Sequence, residues 1–248
     1  MKSPNVIVSS DYGPIIINVN DIIIGKEICQ TGYWSKDDIL VIRLLVENQL
    51  KRFEKITFYD VGANIGTHTL AIAKTYADKV IVRAFEAQRQ IYNMMCGTVA
   101  INNLQNAYCY NLAVSDKEGD FIEVKQPDYS SSTNFGALEL MPAKCSEMGN
   151  FVLTHSEKIK TITLDSFDEK VDFIKMDIEG MEDKAIIGAA KTIETDRPVC
   201  FIEAHKSDTG FIVNYFKDRN YIGFLKSNDL IVIPIEYGLT IDFLDRTF

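Results

Sequence analysis

The chain has 248 residues, of which 46% are hydrophobic and 25% are charged, a composition ordinary for a globular protein with one large domain. Its formal net charge of −9 argues against a broad surface for nucleic acid or for an anionic membrane, because both need basic residues. We therefore expect neither a nucleic-acid partner nor a membrane partner.

The cysteines and the first residues indicate the compartment. The five cysteines form no C-x-x-C pair, which predicts reduced thiols in a cytoplasmic protein and neither a disulfide framework nor a zinc site. They are Cys29, Cys96, Cys109, Cys145 and Cys200. The first residues lead into no long apolar segment, and no apolar run reaches membrane-spanning length, so we expect no signal peptide and no transmembrane helix.

The first 34 residues are predicted to form a β-rich extension ahead of the main domain, which covers residues 35–248. Within residues 6–25, the short runs VIV, IIINV and DIIIG predict a small hairpin or meander.

Residues 36–53 carry apolar side chains at helical spacing and predict an amphipathic helix, with Ser35 as its N-cap. Tyr33 and Trp34 precede it. They could close over a ligand as an aromatic lid or anchor this helix to the core, and we favour the anchor.

The central feature of the sequence is residues 56–67, ITFYDVGANIGT. A β-branched and aromatic run predicts a buried strand, and the apolar periodicity of residues 67–77 predicts a helix after it. Gly62 and Gly66 in the turn between them let the backbone approach a ligand closely. Open α/β sheets bind nucleotide-like ligands at such turns. Asp60 suits a cationic or hydroxyl-rich ligand better than a pyrophosphate, which indicates S-adenosylmethionine (SAM) before NAD.

The rest of the chain alternates predicted strands and helices. The predicted strands are residues 79–86, 107–114, 158–164, 171–176 and 198–204, and the predicted helices are residues 88–102, 181–193 and 209–218. Residues 120–125 are assigned to a hairpin arm, residues 126–150 to an irregular segment, and residues 221–225 and 230–233 to a closing β pair. This order predicts an α/β, Rossmann-like fold, with a mainly parallel sheet, an antiparallel edge and helices on both faces.

Glu86 ends the second strand of this pattern, about 20 residues after Gly66. A Rossmann-like site places at this point the carboxylate that accepts hydrogen bonds from ribose hydroxyls. The alternative is a solvated acid at a strand end. An NAD-dependent oxidoreductase is a second interpretation, but its G-x-G-x-x-G fingerprint is absent and Asn64 takes the place of the middle glycine. The sequence thus favours a ligand without a pyrophosphate.

Three carboxylates, Asp177, Glu179 and Glu182, follow the predicted strand at residues 171–176. Like charges this close raise one another's pKa or need a cation, which could be a substrate ammonium, SAM itself or a metal. We favour the positive charge of SAM and expect no metal. Alternatively, Glu179 and Glu182 only favour the N-terminus of the following helix.

Four blocks of the sequence occur in order between about residue 60 and His205: FYDVGANIGTHTL, FEA, IKTITLDSFDEKVDFIKMDIEGMEDKAIIGA and PVCFIEAH. Together they resemble the FkbM family of SAM-dependent methyltransferases. The resemblance implies a class I methyltransferase fold and SAM as the methyl donor. It also implies O-methylation of a hydroxyl on a sugar or natural-product-like molecule, so that the partner is a small-molecule or glycan acceptor.

The resemblance implies roles for individual residues as well. The residues expected to bind SAM lie in the glycine turn and after the next two strands: Asp60, Gly62, Ala63, Asn64, Gly66, Glu86, Ala87 and Ala113. Asp177 is expected to contact SAM beside the transferred methyl group. Ala87 departs from the family, whose members usually carry proline there.

Methyl transfer from a sulfonium needs a positioned acceptor and the removal of one proton from its hydroxyl. His205 follows the fifth predicted strand and is the best candidate base, with Glu203 on the same side of that strand to orient it. Asp177 or Glu179 is the alternative, so the predicted catalytic residues are His205, Asp177 and Glu179. His68 is expected to cap or pack.

Two further interpretations stay open beside the oxidoreductase. A non-catalytic SAM-binding domain would bind SAM and tolerate the loss of Asp177 and His205. A nucleic-acid methyltransferase typically carries an N-P-P-Y-type motif after the fourth strand, where this chain has D-I-E-G.

Overall fold

The computed structural model describes residues 3–137, 153–241, 244 and 246–248. In chain order, the described strands are β1 (Asn5–Ser10), β2 (Gly13–Asn18), β3 (Ile56–Val61), β4 (Val80–Phe85), β5 (Ala107–Tyr110), β6 (Ala113–Val114), β7 (Phe121–Pro127), β8 (Leu153–Ile162), β9 (Phe173–Met176), β10 (Val199–Glu203), β11 (Tyr221–Lys226) and β12 (Asp229–Pro234). The described helices are α1 (Ile24–Thr31), α2 (Lys36–Leu50), α3 (Thr67–Thr75), α4 (Arg89–Ile101), α5 (Glu182–Ile187), α6 (Ala190–Asp196) and α7 (Thr209–Lys217).

Seven of these strands form one sheet in the order β11-β12-β10-β9-β3-β4-β5. The five strands from β10 to β5 run parallel, whereas β12 is antiparallel to β10 and β11 is antiparallel to β12. The predicted α/β fold, a mainly parallel sheet with an antiparallel edge, is confirmed. β3 lies near the middle and is buried almost throughout, as its β-branched and aromatic run predicts.

Helices cover both faces of this sheet, as the sequence predicts. Adjacent residues of β3 point to opposite faces. Phe58 packs in a core that α1, α2, α3 and α4 share, and Tyr59 packs in a second core with α5, α6 and α7. Ile24 and Ile28 of α1 belong to the first core, so the N-terminal residues pack directly against the main domain. The boundary after residue 34 stays a prediction.

The predicted strand at residues 107–114 is wrong in one respect, because it splits into β5 and β6. Only β5 belongs to the main sheet, and β6 pairs with β8 in a three-stranded sheet of order β6-β8-β7. Asn111 marks the break. Its side-chain amide donates to the carbonyls of Glu86 and Ala87 at 2.8 and 3.1 Å, which holds the chain at the end of β4 and turns it away.

Two other predicted elements differ from the structure. The run DIIIG is not a strand, because the Asp21 carboxylate accepts hydrogen bonds from the backbone of Ile23 and Ile24 and starts α1. The predicted helix at residues 181–193 is two helices, α5 and α6. They break at Gly188, where a Cβ would lie 2.0 Å from the carbonyl oxygen of Ser115, so the chain must pass the neighbouring segment closely.

The N-terminus of α2 also departs from expectation. Ser35 is the N-cap residue of α2, as predicted, but its backbone is left-handed (φ 51°) and its side chain makes no capping hydrogen bond to the helix backbone. Its hydroxyl instead donates to the carboxylate of Asp38. Of the predicted irregular segment at residues 126–150, the part from residue 138 onward lies outside the described residues. No helix in the described part of the chain combines the length and apolar character needed to traverse a bilayer.

Candidate functional site

The carboxyl ends of β3, β4, β9 and β10 meet at one edge of the sheet and enclose a cavity of about 230 Å³. Most of the residues predicted to bind a cofactor line it: Gly62, Ala63, Asn64, Glu86, Ala87, Ala113 and Asp177. Apolar contacts come from Ile23, Ile24, Val61, Phe85, Leu112, Val114 and Ile178. Ligands bind open α/β sheets at this position.

The glycine turn forms one wall, and its backbone conformation requires its sequence. Gly62 has a φ of +76°, and a Cβ there would lie 1.7 Å from the carbonyl oxygen of Asp177. Asn64 follows with a φ of 52°, and its side-chain oxygen accepts the backbone N–H of Ile65 at 2.8 Å. Gly66 (φ +88°) starts α3 without lining the cavity. The turn thus fits tightly against the loop after β9.

Glu86 lines the cavity beside the glycine turn and is buried. One carboxylate oxygen accepts the backbone N–H of Asn64 at 2.9 Å, and the other accepts that of Gln88 at 2.8 Å. Burial, opposed by these hydrogen bonds, raises the pKa of Glu86 to about 7. A carboxylate offers about four lone-pair sites, so acceptor capacity remains for hydroxyl groups in the cavity.

Lys175 is a buried cation between the two walls, which the sequence interpretation missed because it lies inside the apolar run of β9. Its ammonium group donates to the carbonyl of Gly62 at 2.8 Å. It also lies 3.4 Å from Asp60 Oδ1 and 3.7 Å from Asp177 Oδ2. Burial lowers the pKa of Lys175, but the two carboxylates outweigh that effect and raise it.

Asp60 does not line the cavity, in contrast to Glu86, Asp177 and Glu179. It is fully buried and accepts the hydroxyl of Thr69 at 2.6 Å. Its contact with Lys175 makes it a support beneath the glycine turn.

An acidic cluster forms the other wall. One carboxylate oxygen each of Asp177, Glu179 and Glu203 lies within 4.8 Å of the other two. Burial, and then the charge of Asp177, raise the pKa of Glu179 to about 7 and that of Glu203 to about 9. Burial alone would raise the pKa of Asp177, but Lys175, the hydrogen bond with Glu203 and the charges of His68 and Lys206 together outweigh burial and hold this pKa below its ordinary value. Asp177 is therefore the ionised member of the cluster at neutral pH.

The cluster differs from the sequence interpretation in one member. Glu182 is fully buried and faces away, accepting the backbone N–H groups of Ile178 at 2.8 Å and Gly180 at 3.1 Å. Glu203 takes its place, because the parallel pairing of β10 with β9 brings the end of β10 beside Asp177. Lys206 pairs with Glu179 and lies 3.9 Å from Glu203 Oε2, so lysines flank the cluster on both sides.

The histidines lie at different distances from the cavity. His205 Nδ1 is 3.8 Å from Glu203 Oε1, but His205 does not itself line the cavity. His68 is buried in α3 and lines the cavity, and burial with the nearby charge of Lys175 lowers its pKa. His155 lies on β8 beside Glu157, away from the site.

These residues fit SAM. The buried carboxylate of Glu86 suits ribose hydroxyls, the apolar contacts suit an adenine ring, and Asp177 suits a positive charge. The cations that line the cavity among the described residues are Lys175 and Lys206, and both are paired with carboxylates, so neither is placed to hold a pyrophosphate.

Several solved structures are similar to this chain. Methyltransferase FkbM from Methylobacillus flagellatus KT is 18% identical over 72% of this chain and 43% of that chain, with a TM-score of 0.52. This chain therefore spans less than half the length of that protein. M. jannaschii TYW2 in complex with AdoMet is 14% identical over 94% of this chain and 85% of its own, with a TM-score of 0.45.

A third solved structure is the Pyrococcus abyssi tRNA (uracil-54, C5)-methyltransferase in complex with S-adenosyl-L-homocysteine. It is 13% identical over 94% of this chain and 44% of its own, with a TM-score of 0.47. No curated protein matches this chain.

The family model for the methyltransferase FkbM domain matches residues 60–222, which is more than half of the chain. The match runs from the glycine turn through the acidic cluster to β11. It confirms the predicted family, the class I methyltransferase fold and SAM as the cofactor of that family. The chain belongs to the FkbM methyltransferase domain family.

Proposed function

We propose that the chain transfers a methyl group from SAM to a hydroxyl of a sugar or natural-product-like small molecule. One observation carries the proposal. A single cavity has the glycine turn and Glu86 on one side and the ionised Asp177, with Glu203 beside it, on the other. The first side suits an adenosine, and the second suits the removal of a proton.

The proposed cofactor contacts follow from this geometry. Glu86 accepts hydrogen bonds from the ribose hydroxyls, while Gly62, Ala63 and Asn64 let the backbone lie against the bound molecule. Ala87 and Ala113 lie beside the adenine end. Asp60 and Gly66 do not contact the cofactor directly in this proposal. Asp60 positions Lys175, and Gly66 starts α3.

SAM, when bound, supplies an electrophilic methyl group on a positively charged sulfur. The acceptor oxygen forms a bond to that methyl carbon as the carbon–sulfur bond breaks, and the hydroxyl proton passes to a base. Asp177 is the base that we propose, because Lys175 keeps it ionised at neutral pH. A base acting during transfer contributes roughly 10²–10⁴-fold in rate.

Glu179 and His205 have supporting roles in this proposal. Glu179, paired with Lys206, fixes the loop that carries Asp177. His205 lies beside Glu203 and can receive the proton onward from the Asp177–Glu203 pair. The base role that the sequence assigned to His205 thus shifts to Asp177, and His205 acts one step later.

We also propose a cytoplasmic location and a small-molecule or glycan partner, without nucleic acid or membrane. Free cysteines support the location, since Cys29, Cys96, Cys109 and Cys200 form no disulfide among the described residues. The net charge of −9 supports the choice of partner. No metal is needed, because the flanking lysines supply the positive charge for the acidic cluster.

Calorimetry with SAM, S-adenosylhomocysteine and NAD tests the cofactor. We expect SAM and S-adenosylhomocysteine to bind and NAD not to bind. Glu86→Gln should weaken SAM binding about tenfold or more, because it replaces a charged acceptor worth roughly 1.5–3 kcal/mol. Glu118→Gln, in an exposed turn, is the matched control. NAD binding, or equal SAM affinity in both variants, would contradict the assignment.

A further inference from the structure

A second cavity, of about 290 Å³, adjoins the first. The two share Trp34, His68, Lys175, Asp177 and Glu203 in their walls. Asp177 therefore lines both spaces, so a molecule in the second cavity would lie beside the proposed base.

Two separate elements give the second cavity its outer wall. One is the start of α2, with Ser35 and Asp38, and the other is the turn between β11 and β12 at residues 226–229. The ion pair between Lys226 and Asp38 joins them. The ion pair therefore closes the outer side of the cavity by linking these two segments.

The turn between β11 and β12 carries side chains without a hydrogen-bond partner in the described part of the chain. Among the described residues, none makes a hydrogen bond to the side chains of Ser227, Asn228 or Asp229, and all three line the cavity. Ser227 moreover has a left-handed backbone (φ 55°), a conformation in which glycine or asparagine is the usual choice for a tight hairpin. A hydroxyl, an amide and a carboxyl in one turn form a donor and acceptor set that suits a molecule with several hydroxyl groups.

The charges favour an uncharged occupant. Lys226 is paired with Asp38, and Lys175 lies 3.7 Å from Asp177. The other carboxyl groups that line the cavity are Glu203 and Asp229. Burial raises the pKa of Asp229 to about 7, with the charges of Asp38 and Asp177 adding to the effect, and the pKa of Glu203 is raised to about 9. Both lysines that line the cavity are thus paired, so an anionic acceptor would meet no unpaired lysine among the described residues. The raised pKa values of Glu203 and Asp229 weaken the attraction of the wall for a cationic acceptor.

We propose that this second cavity holds the methyl acceptor, and that the acceptor presents an uncharged, hydroxyl-rich ring held by the side chains of Ser227, Asn228 and Asp229. Trp34 and Phe201 supply the aromatic surface on which the apolar face of such a ring packs. One ring hydroxyl then reaches Asp177 where the two cavities meet. The inference rests on the proposed function, because it assumes that SAM occupies the first cavity.

Saturation-transfer NMR on the whole protein tests the proposal, with S-adenosylhomocysteine filling the first cavity. The probes are methyl α-mannopyranoside, methyl α-glucopyranoside and methyl α-rhamnopyranoside, with spermidine and glucose 6-phosphate as charged competitors. We expect signal from at least one methyl glycoside and a loss of at least fivefold in Asp229→Asn and in Asn228→Ala. Asp78→Asn, at an exposed position before β4, should keep the signal.

The outcomes separate the two proposals. If S-adenosylhomocysteine fails to bind, both fall. Three results would overturn the acceptor cavity and leave the methyltransferase assignment standing, provided that S-adenosylhomocysteine binds. In the first, no methyl glycoside gives signal; in the second, only spermidine or glucose 6-phosphate does. In the third, Asp229→Asn and Asn228→Ala keep the wild-type signal. Both turn variants change side chains that make no hydrogen bond to the described protein, so folding should survive; circular dichroism verifies this.

Discussion

Lys175→Met is the change whose consequences follow most directly from the structure. Lys175 is buried, 3.4 Å from Asp60 Oδ1, and Asp60 is fully buried too. Removing one partner of a buried ion pair costs about 3–5 kcal/mol, because the other charge is left uncompensated. We expect Lys175→Met to lower the free energy of unfolding by that amount, measured by urea titration followed by circular dichroism.

A second substitution separates charge from packing. In Asp60→Asn/Lys175→Met the buried charge is gone, and an asparagine oxygen can still accept the hydroxyl of Thr69. The remaining cost is the unpaired carbonyl of Gly62, about 1–3 kcal/mol. The double variant should therefore be more stable than the single one. Equal stability of the two would refute the reasoning, because Asp60 would then not depend on the ammonium for its charge.

Three more predictions concern the site. Because the pKa of Glu203 is raised to about 9, the folded state binds more protons than the unfolded state between about pH 4.5 and 9. The free energy of unfolding should therefore fall as pH rises through this range. Glu203→Gln should make that fall smaller in urea titrations. Gly62→Ala should prevent folding, because its Cβ would lie 1.7 Å from the carbonyl oxygen of Asp177. Gly119→Ala is the control: it adds a backbone strain of about 1 kcal/mol but has no atom near its Cβ, so it should fold. Circular dichroism measures both. With an acceptor in hand, Asp177→Asn should lower turnover about 10²–10⁴-fold and His205→Ala less than about tenfold.

Each of these three has a clear contrary result. An unchanged pH dependence in Glu203→Gln would show that this carboxyl is ionised in the folded protein. A well-folded Gly62→Ala would contradict the close approach of the turn to Asp177. A larger loss in His205→Ala than in Asp177→Asn would return the role of base to His205.

The sheet and the glycine turn could be predicted from the sequence because both depend on local patterns. Runs rich in β-branched, aromatic and other apolar residues mark β3, β4 and β10, and the two glycines mark the turn. The closing antiparallel pair follows from two apolar runs separated by a short polar turn. Local spacing also identified Glu86, which lies in the cavity wall as expected.

The acidic cluster could be predicted only in part, because its membership depends on contacts distant in sequence. Asp177 and Glu179 are neighbours along the chain, whereas Glu203 reaches them through the pairing of β10 with β9. Glu182 has the same sequence spacing as a site residue but turns inward to bind the loop backbone. Lys175 was hidden because a lysine in an apolar run gives no sign of which carboxylates will surround it.

The break between α5 and α6 was missed although the sequence carries a local signal for it. Residues 181–193 have apolar residues at helical spacing, but Gly188 lies among them and is the C-cap of α5. Glycine is a poor helix former and is common where helices end. The carbonyl of Ser115 also leaves no room for a side chain at this position, so propensity and packing agree there.

A crystal structure of the chain with bound S-adenosylhomocysteine tests the central claim most directly. We predict that the ribose hydroxyls lie within hydrogen-bond distance of the Glu86 carboxylate and that the sulfur faces Asp177, with the second cavity beyond it. Binding of S-adenosylhomocysteine elsewhere, or with its sulfur turned away from Asp177, would contradict the account.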